Sequence, residues 1–387
     1  MSELLKRLKK ATAKAVETKV LSQTDYYDYD KYGAPSDLLI YNLALSGKLR
    51  KAGLTPGVTI LSGQSKSYKT VSGIQLVKAY MDKYEDAVCI FYDSELGGPG
   101  YWEAAGVDQD RVVHIVIRHL EELKFDLQKK LDAIQPGEHV IFFIDSIGML
   151  ASKKELLDAQ NEHSAADMTR AKEIKAVFRQ ITPTLNDLHI PLIGINNNYA
   201  SMDKYNPEAM GGGGGIVLAA NTVLFFSKFK LKQASDSTAI GTELAGHIFR
   251  ITIFKSRFIK EGTKLHFRVL YGKNRPNRYT GLWELAVVTK DIYSPSKGWR
   301  AARIVDENGV ELPKEQHPKF RESEMYTNED FWENTMFKRT NFEKNVENRL
   351  SLTYEVPDGE IDVLDSDEAP YDPDSGELIE PVVDDEE

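Results

Sequence analysis

The 387-residue sequence predicts an α/β protein built on a mostly parallel, doubly wound sheet. Three observations carry that expectation. Five short runs, "GVTIL", "AVCIFYD", "RVVHIVI", "HVIFFIDS" and "IPLIGIN", are apolar almost throughout, as strands covered on both faces must be. Between them lie stretches with helical spacing, such as "TVSGIQLVKAYMDKY" and "RHLEELKFDLQKKLDAI". Polar residues then mark the ends of the runs: Gly63 to Thr70 after the first, Asp93 and Glu95 after the second, Asp145 and Ser146 after a later one, and Asn196 and Asn197 after the last. Ligands of such sheets bind beyond the carboxyl ends of the strands, so these groups are expected on one rim.

Taken from the N terminus, "SELLKRLKKATAKAVETKVL" places Leu4, Leu8, Val16 and Val20 at multiples of four, with lysines largely on other faces, which predicts an amphipathic helix. The polar, tyrosine-rich "TDYYDYDKYGAPSD" follows as a linker. Residues 1–35 therefore form an N-terminal segment whose apolar stripe packs on its own domain or on a neighbouring subunit, because a short helix cannot bury it alone.

The segment "TILSGQSKSYKT" compares with the phosphate-loop pattern GxxxxGK[ST] through Gly63, Lys69 and Thr70, but Tyr68 stands where the pattern has glycine. Its place between an apolar strand and a helix suits a triphosphate, which backbone N–H groups and the helix dipole would hold. Gly63, Gln64, Ser65, Lys66, Ser67, Tyr68, Lys69 and Thr70 are the expected ATP-binding loop. Lys69 would meet the outer phosphates and Thr70 would ligate Mg²⁺, with Asp145 at the end of "IFFID" as a second magnesium contact. A left-handed L-residue costs about 1–2 kcal/mol, so Tyr68 is expected to be right-handed with its ring turned outward.

Composition limits the setting. The lone cysteine, Cys89, lies in an apolar run, which excludes a disulfide framework or cysteine metal site and points to a reducing, cytoplasmic compartment. The basic start lacks a signal-peptide core and no apolar run is long enough to span a bilayer, so no membrane role is expected. Fifteen acidic residues and no lysine or arginine fall between Glu355 and Glu387, against a net charge of −10 for the whole chain, which leaves the rest at +5. Residues 351–387 thus read as a disordered acidic tail, either a solubility device or an internal competitor for polyanions.

"GLTPGVTILSGQSKSYKT", "CIFYDSE", "VIFFIDS", "IGINNN", "MGGGGG" and "FKSR" occur in an order that resembles the RecA family of strand-exchange recombinases, and within it the bacteriophage UvsX branch, where an aromatic also replaces the loop glycine. The resemblance implies a RecA-like P-loop ATPase core over 36–272 and, more loosely, a small C-terminal α+β domain over 273–350. It implies that Glu95 orients the attacking water, that Tyr101 stacks on adenine, and that Asn197 senses the γ-phosphate. It also implies that Lys255 and Arg257 meet the γ-phosphate bound by an adjacent subunit. Spaced two apart at a strand end, these two cations are expected to leave the same face.

Two connections are candidates for DNA. One follows Asp145, with Arg170 and Arg179 in the helix beyond it. The other follows Asn197 and carries Met202, Tyr205 and the glycines from Gly211 and Gly212 onward, where the chain can approach a phosphodiester backbone and stack on bases. The function implied is an ATP-dependent filament on single-stranded DNA that pairs it with homologous duplex DNA in recombination, repair and replication. Single-strand-binding and mediator proteins are the implied partners. A replicative helicase on the same core is the alternative, disfavoured by the short segment before the nucleotide loop. A metabolic phosphotransferase would need a second small-molecule pocket, for which there is no signature. No basic recognition helix or metal-finger spacing appears, so sequence-specific DNA reading is not expected.

Overall fold

The apolar runs form strands at the expected places: β1 (Gly57–Gly63), β2 (Val88–Asp93), β3 (Val112–Val116), β4 (Val140–Asp145) and β5 (Pro191–Ala200). They are followed by β6 (Glu208–Met210), β7 (Thr222–Lys232), β8 (Leu244–Lys255) and β9 (Lys264–Leu270). The computed structural model describes residues 3–11, 20–24, 28–97, 100–161, 169–200, 208–211, 214–232, 244–272 and 275–352. Its main sheet has the order β3-β2-β4-β5-β1-β7-β8-β9, with β6 paired to β5. Pairing is parallel from β3 to β7 and antiparallel for β8 and β9.

The helices before the small C-terminal sheet are α1 (Glu3–Lys10), α2 (Tyr29–Tyr32), α3 (Leu39–Ser46), α4 (Lys69–Lys83), α5 (Gly100–Ala105), α6 (Leu120–Ala133), α7 (Lys153–Gln160), α8 (Thr169–Asp187), α9 (Gly214–Ala219) and α10 (Leu282–Val288). Six of them, α3, α4, α5, α6, α8 and α9, cover the two faces of the sheet. Alternation along the strands sends Leu61, Phe143 and Ile193 into one core with α3, α4 and α5. Ile60, Phe142, Ile144 and Leu192 enter the other, with α6, α8 and α9. This is the doubly wound arrangement that the sequence predicts, and it places the carboxyl ends of β1, β2, β4 and β5 side by side.

One strand departs from expectation. "RVVHIVI" reads as covered on both faces, but β3 is the sheet edge, and Val113 and Val116 are each 45% exposed. Local apolarity does not distinguish an edge strand from a central one. At the other end of the chain a small antiparallel sheet, β10 (Ile292–Ser296), β11 (Trp299–Ala302) and β12 (Lys319–Phe320), packs with Trp332 and Phe342. Its buried residues belong to the same core as those of α3. In α1, Leu4 and Leu8 are exposed, while Val16 lies outside the described residues. The expected tail begins two residues late: Ser351 bridges Ile259 and the Leu352 N–H donates to the Phe258 carbonyl at 3.1 Å, and residues 353–387 lie outside the described residues. Among the described residues no helix is long and apolar enough to cross a membrane.

Candidate nucleotide site and the loops beside it

The loop between β1 and α4, the end of β2, the end of β4 and the end of β5 enclose an open cleft of about 1030 Å³, lined among others by Lys69, Thr70, Glu95, Tyr101, Asp145 and Asn197. Gln64, Ser65, Lys66 and Ser67 line it too. At Gly63 a Cβ would collide with the Phe226 carbonyl on neighbouring β7, so the start of the loop has room only for glycine.

Lys69 is buried and folds back onto the loop, its Nζ donating to the Gly63 and Gln64 carbonyls at 2.8 Å each. Burial pushes its ammonium down to about 8, against the upward pull of Asp145 and Glu95. Burial likewise pushes the Asp145 carboxyl up to about 6; Glu95 and Asp93 add to the rise, while a hydrogen bond from Thr70 and the charge of Lys69 oppose it. Among the described residues, Asp145 Oδ1 and Ser67 Oγ are buried without a hydrogen-bond partner. An orphaned buried carboxylate oxygen beside a hydroxyl suits a hard cation, and an orphaned hydroxyl at a loop of N–H groups suits a phosphate oxygen. The residues fit Mg²⁺ and ATP.

Glu95 is set by its neighbours. Ser146 Oγ donates to Glu95 Oε1 at 2.6 Å. Asp93, 2% exposed, accepts from the Glu95 and Leu96 N–H groups at 3.0 and 2.7 Å, and its other oxygen meets His114 Nε2 at 3.0 Å. Ser94 ties this turn to β4, donating to the Ser146 carbonyl at 2.9 Å. His114 has no place in the sequence expectation, and Ser146 stands there only as a polar group on the rim. His114 comes from the edge strand, and no local pattern announces that it faces Asp93. Tyr101 is 53% exposed on α5 and faces the cleft, while its neighbour Trp102 is the residue in the core.

Tyr68 corrects the expectation. Its backbone is left-handed (φ 74°, ψ 11°), and its ring points inward, 5.0 Å from Phe249 on β8 and 5.7 Å from Phe267 on β9. Burial pushes its phenol up to about 12, opposed by Gln75. The cost that favours a right-handed residue is local; the ring contacts that overcome it come from strands far along the chain.

The two connections begin one residue beyond cleft residues. After β4 the chain makes a short turn and then α7, whose N terminus is closed by a capping box between Ser152 and Glu155. That signal, Ser-Lys-Lys-Glu, is present in the sequence. Arg170 is drawn inward: its guanidinium donates to the carbonyls of Leu150, Gly148 and Ile147 at 2.8, 2.9 and 3.3 Å, so its donors hold the base of this connection. Arg179 is exposed on α8. After β5, part of the expected loop is a hairpin, because Asn198–Ala200 pairs with β6. Buried Asn196 donates to the Gly211 carbonyl at 2.7 Å, and the Gly211 N–H donates to the Asn197 carbonyl at 3.0 Å. Met202, Tyr205 and Gly212 lie outside the described residues.

Lys255 and Arg257 do not share a strand face. Lys255 ends β8 and donates to the Val217 and Leu218 carbonyls at 2.6 and 3.3 Å, near the carboxyl end of α9. Arg257 lies beyond the strand, exposed in a groove with Lys48 and Glu347. The strand stops two residues short of Arg257, so the two-residue alternation does not reach it.

Over 371 residues the chain is 37% identical to the "Recombination and repair protein" of Enterobacteria phage T4, covering 94% of this chain and 91% of that one. The chain belongs to the UvsX-like branch of the RecA family. The family model described as "Bacteriophage T4, Recombination and repair protein, C-terminal domain" matches residues 279–346, which contain the small antiparallel sheet. In this UvsX-like chain the matched segment belongs to the same compact unit as the main sheet and its cleft.

Proposed function

We propose that this UvsX-like protein is an ATP-dependent recombinase that assembles on single-stranded DNA and pairs it with homologous duplex DNA. The observation that carries the reading is the convergence of Lys69, Thr70, Asp145, Glu95 and Asn197 on one cleft whose rim gives rise directly to both candidate DNA connections. Lys69 would leave the Gly63 and Gln64 carbonyls for the outer phosphates. Thr70 and Asp145 would hold Mg²⁺, which when bound neutralises charge developing on the phosphates. Glu95, held by Ser146 and the Asp93 turn, would orient water for attack and accept its proton. Asn197, on the strand that also holds Gly211 through Asn196, would carry the presence of the γ-phosphate to the second connection. Arg257, exposed, would complete the site of an adjacent protomer, so that a head-to-tail contact builds an open helical filament.

The test is a pair of variants. Lys69→Ala is expected to abolish nucleotide binding, and Glu95→Gln to bind ATP while turnover on single-stranded DNA falls by about 10² to 10⁴. Joint-molecule formation between a single strand and supercoiled duplex, run beside a strand-displacement assay, separates recombinase from helicase. Displacement without joint molecules would refute the reading.

A further inference from the structure

The Tyr68 side chain has no part in the nucleotide reading so far, and the loop pattern has no place for it. Its surroundings close on themselves. The ring lies against Phe249 and Phe267, and Phe267 meets the edge of Tyr41 at 5.5 Å. The Tyr41 hydroxyl is 2.7 Å from Ser72 Oγ, and Ser72 returns to the Tyr68 carbonyl through its Oγ at 2.7 Å and its N–H at 3.0 Å. Residue 68 is thus fixed at both its side chain and its carbonyl by α3, α4, β8 and β9, immediately before Lys69.

We propose that Tyr68 is a positioning residue for the nucleotide: its ring, wedged against the β8–β9 extension, holds the end of the phosphate loop in the left-handed conformation that the GxxxxGK[ST] pattern obtains from glycine. The inference rests on the ATP-site reading above. An L-residue without such support leaves the left-handed region with a preference of about 5- to 30-fold, so the binding-competent loop becomes a minority state. Apparent affinity then falls by the inverse of the competent fraction, while the bound complex, once formed, is the same. The expected signature is a change in KM with kcat preserved. Glycine enters the left-handed region without penalty, so it should recover what alanine loses.

The experiment measures KM and kcat for ATP on saturating single-stranded DNA, with urea midpoints to verify folding. Tyr68→Ala is expected to raise KM about 5- to 30-fold at nearly constant kcat. Tyr68→Gly should recover most of that loss. Tyr68→Phe, which keeps the ring, should stay within about twofold of the parent KM. Phe249 meets the Tyr68 ring and does not itself line the cleft; Phe249→Ala should raise KM in the parent chain and leave it unchanged in the Tyr68→Gly chain, with Phe249→Leu as the milder substitute if alanine impairs folding. Glycine as poor as alanine would make the ring a direct ligand contact and overturn the proposal. Alanine equal to the parent, or an equal Phe249 effect in both backgrounds, would also overturn it. A parent chain that binds no ATP would instead refute the nucleotide reading itself.

Discussion

Raising the pH should disable the cleft by discharging Lys69 before any other part of the site changes. Burial lowers its ammonium to about 8, whereas burial pushes the Cys89 thiol and the phenol of Tyr68 upward, away from this range. Lys255 is also lowered, first by burial and then by Arg257, so it needs a separate control. For free enzyme and free ATP, kcat/KM follows the protonated fraction of Lys69; one pH unit above 8 that fraction is about one in eleven, a loss of about tenfold. At the acid end Asp145 gains its proton as pH falls through about 6, and a neutral acid no longer holds Mg²⁺. The optimum for kcat/KM therefore lies between about 6 and about 8. The kcat profile should be broader, because bound phosphates raise the Lys69 pKa and the bound cation lowers that of Asp145. Initial rates from pH 5 to 9 at constant ionic strength, with DNA saturating, provide the assay. The decisive arm is Lys69→Arg, whose guanidinium stays charged throughout: its kcat/KM, lower overall, should be flat from about pH 7 to 9. A basic limb that survives in Lys69→Arg would refute the assignment and pass it to Lys255.

Two more outcomes follow from side chains near the cleft and its connections. Mixing Lys69→Ala with Arg257→Ala should restore part of the ATPase that neither has alone, because a mixed interface pairs an intact loop with an intact cation; co-assembly without rescue would exclude the cross-subunit role. Arg170→Ala should lower stability by about 1–3 kcal/mol through the carbonyls it leaves bare, read as a urea midpoint, yet leave the salt dependence of single-stranded DNA binding unchanged. A log–log slope reduced by about 0.7 would instead place Arg170 on a phosphate.

Much of the fold and the cleft is legible in the sequence, because both rest on patterns that are local. Strands buried on two faces are apolar runs, their carboxyl ends are polar, and the order of strands with crossover helices brings those ends together. What escapes is decided between segments distant in sequence. "RVVHIVI" has a central strand's composition but an edge strand's exposure. Tyr68 follows Phe249 and Phe267 rather than its own backbone preference. Arg170 resembles a phosphate ligand in sequence and satisfies carbonyls in space. The asparagine triplet is a fourth case: Asn197 is the residue that family resemblance selects, yet Asn196 makes the buried contact to Gly211, and Asn198 accepts from the Ser62 hydroxyl on β1.

If the proposed function holds, that triplet would let nucleotide and DNA signals meet without a long relay. β5 lies between β4 and β1 in the sheet, so its end is flanked by the Asp145 carboxylate on one side and the phosphate loop on the other. Its three terminal polar residues engage three different parts: Asn198 the strand that carries the loop, Asn197 the cleft, and Asn196 the return of the second connection at Gly211. The base of the first connection is equally close, since a Cβ on Gly148 would lie 3.0 Å from Asn196 Oδ1 and 3.2 Å from Asn197 Nδ2. Asn197 lines the open cleft and accepts from the Gly211 N–H through its carbonyl, so in the proposed coupling a shift of its backbone toward bound phosphate would carry Gly211 with it. The coupling proposed for this protein would therefore be a consequence of strand order: the central position of β5 brings one set of contacts to the cleft and to both candidate DNA connections.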